Sequence, residues 1–284
     1  MTSKHWPTSS QSVYGGLAMY ECASHAKWIL LGEHAVLRGH PAIVFPKLDS
    51  QLKLRFEPHH KLSITLDTND ANIQQLKHLI HTLSDQKTIP ITGSLHFENT
   101  IPMGKGFGFS AALSICLAKL FIHHGLKEPI FDLAHQIEHH FHGKSSGLDI
   151  AGCLTDTPIY FEKTRITPIH LPSWPNITLI DSGISARSSL CIDTVQQQMQ
   201  SNPSLAHQID QRMKNACLMA KDALMQGNTQ QLATAIGQGQ SCFVEWGLVP
   251  KALTQQIKDL QTHGAISCKI SGAGLGGLII ALYD

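Results

Sequence analysis

Residues 102 to 110 read PMGKGFGFS and run straight into AALSICLAKLFIHHG, residues 111 to 125. Between Gly104 and Gly108 every second residue is glycine, so the backbone can take left-handed conformations that other residues resist. The segment that follows is apolar nearly all round, which predicts a central buried helix starting at about Ser110. A glycine turn at the head of such a helix lets backbone N–H groups and the positive end of the helix dipole converge on a phosphate. The same spacing also suits a tight turn with no ligand, and the loop alone leaves both readings open.

Two named phosphate motifs can be tested by counting. Gly143-Lys144-Ser145 ends a Walker A loop, but Glu138 stands where its first glycine must be. Gly106-Phe107-Gly108-Phe109-Ser110-Ala111 fits the dinucleotide pattern G-x-G-x-x-G/A, yet lies far from the N-terminal strand that unit normally follows.

Upstream of the loop, short apolar stretches from Ala18 to Val44, broken at Gly32, Gly39 and Pro41, predict strands joined by turns. Leu52 to Phe56, Leu62 to Leu66 and Ile91 to Phe97 read as further strands, and Ala71 to Leu83 as a helix. Downstream, Phe131 to Phe141 reads as a helix ended by Gly143, with short strands at Pro158 to Phe161 and Ile177 to Asp181. Helical patterns cover Val195 to Met225, Gln230 to Trp246 and Ala252 to His263, and strands at Ile266 to Ile270 and Leu278 to Tyr283 flank a second glycine turn. Strands and helices mix without regular β-α alternation, so the expected class is α+β. At 284 residues two lobes are expected, which we place at 1–172 and 173–284.

A formal charge of +1, with acids and lysines interleaved, gives no basic stripe for nucleic acid, and a small metabolite suits it better. Seven scattered cysteines without a Cys-x-x-Cys pair predict reduced core thiols rather than a disulfide framework. No apolar run approaches a membrane span and the polar opening lacks a signal-peptide core, so the expectation is cytoplasmic, with no membrane partner.

Three more segments carry chemistry-bearing residues: KWILLGEHAVLRGHPAI from Lys27, HGKSSGLDIAG from His142, and KISGAGLGGLIIAL from Lys269. Each has a plain reading alone: a solvated lysine, a turn aspartate, a hairpin turn. Together with PMGKGFGFSAAL and in this order, they resemble the conserved motifs of the GHMP kinases, and the G-E-H-A-V form resembles the mevalonate kinase branch. DSGISARSS, residues 181 to 189, and GQSCFVEWGLVPKAL, residues 239 to 253, are similar to further segments of that branch. The resemblance runs from about Glu21 to the C-terminus.

It implies a two-lobed GHMP kinase fold, with an N-terminal lobe like ribosomal protein S5 domain 2 and a ferredoxin-like C-terminal lobe. The implied reaction is ATP-dependent phosphorylation of the 5-hydroxyl of mevalonate, in the mevalonate pathway of isoprenoid biosynthesis, with Mg2+ as cofactor. Asp149 would be the general base and Lys27 would stabilise developing negative charge. Gly104, Lys105, Gly106, Phe107, Gly108, Phe109, Ser110 and Ala111 would hold ATP, and Ser110 and Glu138 would hold the metal. Glu33, His34, Arg187 and Ser189 match positions near the acceptor, and Gly272, Ala273, Gly274 and Gly276 form the third-motif loop. A homodimer is the family-level expectation.

The chain departs from the family pattern at several points. Phe109 replaces a serine, His25-Ala26 replaces Pro-Gly, Lys144-Ser145 replaces Asn-Pro, Ser189 stands for threonine, and Leu275 interrupts the last glycine run. His135, His139, His140 and His142 flank Glu138 and offer a zinc alternative, although no H-E-x-x-H string exists. Another kinase of the family, especially phosphomevalonate kinase, and a non-catalytic binding protein of the same fold are the rival readings.

Overall fold

The computed structural model describes residues 19–142, 145–185 and 188–284. Its first sheet is built on two long antiparallel strands, β1 (Tyr20–Leu31) and β2 (Ala42–Pro58). The sequence pattern reads two separate strands here, one reaching Val44 and one over Leu52 to Phe56, whereas the structure runs a single strand through both and through Pro46. Pro46 faces Lys27 of β1 where no other strand pairs with β2, and the register slips beside it, so residues 48–50 are left out of the ladder. A missing N–H is tolerated at such an irregular position.

Beyond Pro46, β2 pairs with β4 (Gly93–Asn99), which pairs with the short β3 (Ser63–Thr65); before it, β2 pairs with β5 (Ile159–Glu162), which pairs with β6 (Arg165–Pro168). The second sheet is antiparallel, in the order β7 (Ile177–Asp181), β9 (Leu278–Leu282), β8 (Ser267–Ser271). Three strands are therefore present among the described residues of the second sheet.

Helix α1 (Asp70–Lys87) starts at Asn69, whose side chain accepts the Asn72 N–H at 2.9 Å. Helix α2 (Phe109–His123) is buried on nearly every side, as its sequence requires. Helix α3 (Ile130–His142) packs on α2; Gly143, expected to end it, lies outside the described residues. The turn expected around Asp149 is instead the first turn of a short helix, α4 (Leu148–Leu154).

The single helical pattern of Val195 to Met225 is two helices, α5 (Ser188–Ser201) and α6 (Pro203–Gln226). Asn202 caps the second through the Leu205 N–H, and Pro203 takes the first position, where its missing N–H costs nothing. Helices α7 (Thr229–Glu245) and α8 (Lys251–Thr262) complete the chain.

Alternation along the long strands sets the two faces of the first sheet. Trp28, Leu30, Ile43 and Phe45 join the large core, which extends through α1 and α2 to α6, α7 and the second sheet. Ile29, Val44, Leu148, Ala151 and Phe161 form a smaller core on the other face, beneath α4. Helix α7 packs on both β1 and β8, and Gly239 makes this possible, because a Cβ there would stand 2.2 Å from Leu31 Cδ2. Six of the seven cysteines are buried and all are free thiols.

Candidate active site

Lys27 is the one charged residue in the inward-facing half of β1, and it is 2% exposed. Its backbone N–H donates to Phe107 O at 3.0 Å and its ammonium to Gly106 O at 3.1 Å, so both ends of the lysine hold the 102–110 loop against the strand. Room for its stem comes from two glycines. A Cβ at Gly108 would lie 2.9 Å from Lys27 Cε, and one at Gly152 would lie 3.2 Å from Lys27 Cβ.

The ammonium also meets Asp149 Oδ1 at 2.8 Å, with the carboxylate 35% exposed. Asp149 sits in the first turn of α4, where an anion is favoured by the unpaired N–H groups and the helix dipole. Three hydroxyl contacts fix the entry to that turn: Ser145 Oγ accepts the Gly147 N–H, Ser146 Oγ accepts the Leu148 N–H, and Ser145 Oγ donates to Glu138 Oε2 at 2.5 Å. Lys144-Ser145 in place of Asn-Pro thus supplies a hydroxyl that ties α3 to α4.

Glu138 is 1% exposed. Burial, and secondarily the charge of Asp149, push its carboxyl up to about 7, against the opposing effects of Ser145 and Lys27. His135 and His139, one turn apart on α3, meet through their Nε2 atoms at 3.1 Å, and His135 also reaches Ser145 O. Among the described residues no three His, Cys, Asp or Glu side chains gather where they could share a metal, so the zinc alternative has no ligand set there.

In the loop itself, Gly104, Gly106 and Gly108 all take positive φ, and a Cβ on Gly104 or Gly106 would meet nothing within 4 Å. The space above the loop is open, and the first turn of α2 begins at Gly108, which has no side chain to cap it. Phe107 is buried and Phe109 half-buried, both packed on the large core. The departure at Phe109 is thereby accommodated by packing at the first position of α2. Lys105 pairs with Asp181 at the end of β7, at 3.0 Å.

A cavity of about 320 Å³ joins these parts: Lys27, Gly106, Glu138 and Asp149 line it with Glu33, His34, Ser189, Gly272 and Ala273. Glu33 and His34 line its wall with side chains already engaged elsewhere. Glu33 Oε1 holds Lys269 Nζ at 2.6 Å and the Gly272 N–H at 3.3 Å, while Oε2 is buried without a partner among the described residues. Burial works against both charges, raising Glu33 and lowering Lys269, and the ammonium is further held by Ile270 O and the Phe243 ring.

His34, at φ 57°, uses its Nε2–H to bond Ala273 O at 2.7 Å, and burial pushes its pKa down to about 4. The tautomer follows from the acceptor, because a carbonyl can only receive. The first and third motifs are thus bonded through Glu33, His34 and Lys269. Gly274 and Gly276 serve this docking rather than the cavity: a Cβ would stand 2.8 Å from Leu248 Cβ at the former and 2.4 Å from Ile184 O at the latter. Leu275 keeps the left-handed conformation of a glycine position, at φ 59°, and donates its N–H to Leu248 O.

Ser189 is exposed in the first turn of α5, on the cavity wall, and Arg187 lies outside the described residues. Sequence reasoning assigned no role to Ser145, Gly152, Asp181 or Lys269. The last carried a signal, a lysine inside an otherwise apolar strand.

The chain matches the family models for the GHMP kinase N-terminal domain over residues 74–156 and the GHMP kinase C-terminal domain over residues 220–284. It belongs to the GHMP kinase family. Kinases of this family use ATP. A mevalonate kinase of Pyrococcus furiosus is 26% identical over 90% of this chain and 87% of its own. The crystal structure of L. major mevalonate kinase in complex with R-mevalonate has a TM-score of 0.78 at 21% identity, covering 93% of this chain and 87% of that one. Streptococcus pneumoniae phosphomevalonate kinase, in complex with phosphomevalonate and AMPPNP, has a TM-score of 0.76 at 16% identity, covering 93% and 92%. Both structures share the two-domain GHMP kinase fold with this chain. None of its described helices is long and apolar enough to cross a membrane.

Proposed function

We propose that this GHMP kinase transfers the γ-phosphoryl group of ATP to the 5-hydroxyl of mevalonate. The observation that carries the reading is the Lys27–Asp149 pair, 2.8 Å apart on the wall of a cavity that also holds Gly106 of the glycine loop. Asp149 accepts the proton of the attacking hydroxyl, and the Lys27 ammonium beside it stabilises the alkoxide charge that develops. The N–H groups of residues 104–111 and the open first turn of α2 receive the polyphosphate. Transfer of this kind depends on positioning and charge stabilisation rather than on covalent catalysis.

The residues present fit Mg2+. Glu138 is a buried carboxylate whose proton affinity is raised partly by Asp149, so a cation in this cavity would offset two neighbouring acids, and Ser110 adds a hydroxyl at the head of α2. Mg2+, when bound, neutralises charge on the phosphate oxygens. Glu138 and Ser110 would hold it, and Ser145 keeps the Glu138 carboxylate oriented. We place the cradle and the catalytic pair in residues 1–172, with residues 173–284 closing the acceptor side through Ser189 and the third-motif loop.

Phosphomevalonate kinase is the second reading, favoured by the likeness to the Streptococcus pneumoniae structure. An ADP-release assay over mevalonate, phosphomevalonate, homoserine and galactose separates the two. Turnover is expected with mevalonate, and turnover with phosphomevalonate but not mevalonate would replace the proposal.

A further inference from the structure

Lys105 is the only charged side chain in PMGKGFGFS, and its partner comes from the other sheet. Its ammonium lies 3.2 Å from Asp181 Oδ1 and 3.0 Å from Oδ2. Asp181 ends β7 and begins a strip that is fixed in place. Its Oδ1 accepts the Gly183 N–H at 3.0 Å, Ser182 N–H donates to Gly277 O, Gly277 N–H donates to Ile184 O, and Gln256 Nε2 donates to Ser182 O. Gly276 packs so closely on Ile184 that no side chain would fit. The strip is therefore part of the third-motif docking, and Lys105 clips the glycine loop onto it.

Three features make the clip exchangeable. The pair is open to solvent, with Lys105 30% and Asp181 49% exposed, and exposed ion pairs are weak. The neighbours of Lys105 in the chain, Gly104 and Gly106, stand beside empty space. A nucleotide polyphosphate brings several negative charges to that space against the one on Asp181. We propose that Asp181 is the resting counter-ion of Lys105 and competes with nucleotide, so that arrival of the polyphosphate draws the ammonium off Asp181 and unclips the glycine loop from the second sheet. The inference rests on residues 102–110 being the polyphosphate cradle, and not on which acceptor is phosphorylated.

The test is equilibrium binding of ATP, pyrophosphate and adenosine to the full chain, to Asp181→Asn, to Lys105→Met and to the double variant. Asparagine keeps the oxygen that accepts the Gly183 N–H, so the strip stays fixed while the charge is lost. ATP and pyrophosphate are expected to bind about two- to five-fold more tightly to Asp181→Asn, the range that releasing an exposed ion pair supplies. Lys105→Met weakens both ligands, Asp181→Asn has no effect in the Lys105→Met background, and adenosine binding does not change. Unchanged or weaker ATP binding by Asp181→Asn overturns the proposal, as does an equal change in both lysine backgrounds or with adenosine. If the unaltered chain binds neither ATP nor pyrophosphate, the cradle reading falls and the proposal with it. Turnover with a different acceptor leaves it standing.

Discussion

Replacing Gly108 with alanine should damage catalysis far more than replacing Gly104, although both glycines have positive φ, at 80° and 72°. The left-handed conformation costs an alanine about 1–2 kcal/mol at either site. At about 2–4 °C per kcal/mol, each variant should lose about 2–8 °C in Tm. The sites differ in what the new methyl meets. At Gly104 nothing lies within 4 Å, whereas at Gly108 it meets Lys27 Cε at 2.9 Å, Lys27 Cγ at 3.1 Å and Cys153 Sγ at 3.2 Å. Ordinary carbon contacts are about 3.5–4.0 Å, so the Lys27 stem must withdraw by roughly 0.6–1 Å. Its ammonium sits only 2.8 Å from Asp149 and 3.1 Å from Gly106 O, and a shift of that size pulls it away from the reacting hydroxyl. A misplacement of about 1 Å at a reacting centre can cost about 100-fold. Steady-state kinetics with thermal unfolding on each variant provide the assay. Gly108→Ala should lose about 100-fold in kcat, while Gly104→Ala should chiefly raise the KM for ATP, because its methyl enters the space proposed for phosphate. Equal losses of kcat in the two variants would refute the claim that Gly108 is there to make room for Lys27.

Asp149→Ala should cut turnover by about 100- to 10,000-fold while ATP binding changes little, and near-normal turnover in a coupled ADP assay would remove the base assignment. Glu33→Gln leaves Lys269 buried without its anion and should cost about 3–5 kcal/mol in urea unfolding, much of it recovered by adding Lys269→Met. No loss of stability would show that the pair does not hold the first and third motifs together. For His34, burial lowers the folded pKa to about 4 from 6.5, so between these values the unfolded chain binds a proton that the folded chain does not. The stability it contributes is present above pH 6.5 and is lost as pH falls toward 4, by an amount on the order of 3 kcal/mol. His34→Gln should flatten the fall in stability between pH 6.5 and 4.5, and an unchanged slope would assign the acid sensitivity elsewhere.

The parts of the fold legible in the sequence are those where one local signal dominates. Helix α2 is apolar on nearly all sides, β9 is a short apolar run with clear ends, and the glycine loop announces its own backbone freedom. Signals failed where tertiary contacts decide. Seven residues are too few for α4 to show a helical period, and Gly147, its N-cap at φ 79°, reads as a turn. Strand β2 passes through Pro46 because β1 holds it on one side while the other side is unpaired at that point. In α5 and α6 the hydrophobic pattern is continuous across the break, and only Asn202-Pro203 marks it.

The site shows the same division more sharply. Lys27 and Asp149 stand far apart in the chain, and only the ordered set of family motifs brought them together on paper. What the sequence hid is how the lysine is housed in a nearly closed place. A lysine 2% exposed needs anions and dipoles around it, and the structure supplies the Asp149 carboxylate and the Gly106 carbonyl, with Gly108 and Gly152 opening the channel for its stem. Lys269 has the same problem and the same type of solution, with Glu33, the Ile270 carbonyl and the Phe243 ring. The two buried lysines nonetheless do different work. The acid opposite Lys27 is 35% exposed on the cavity wall, where the proposed transfer needs a base, whereas the acid opposite Lys269 is 3% exposed and bonds the third-motif loop. Exposure of the partner carboxylate, rather than burial of the lysine, is what separates the pair proposed for catalysis from the structural one.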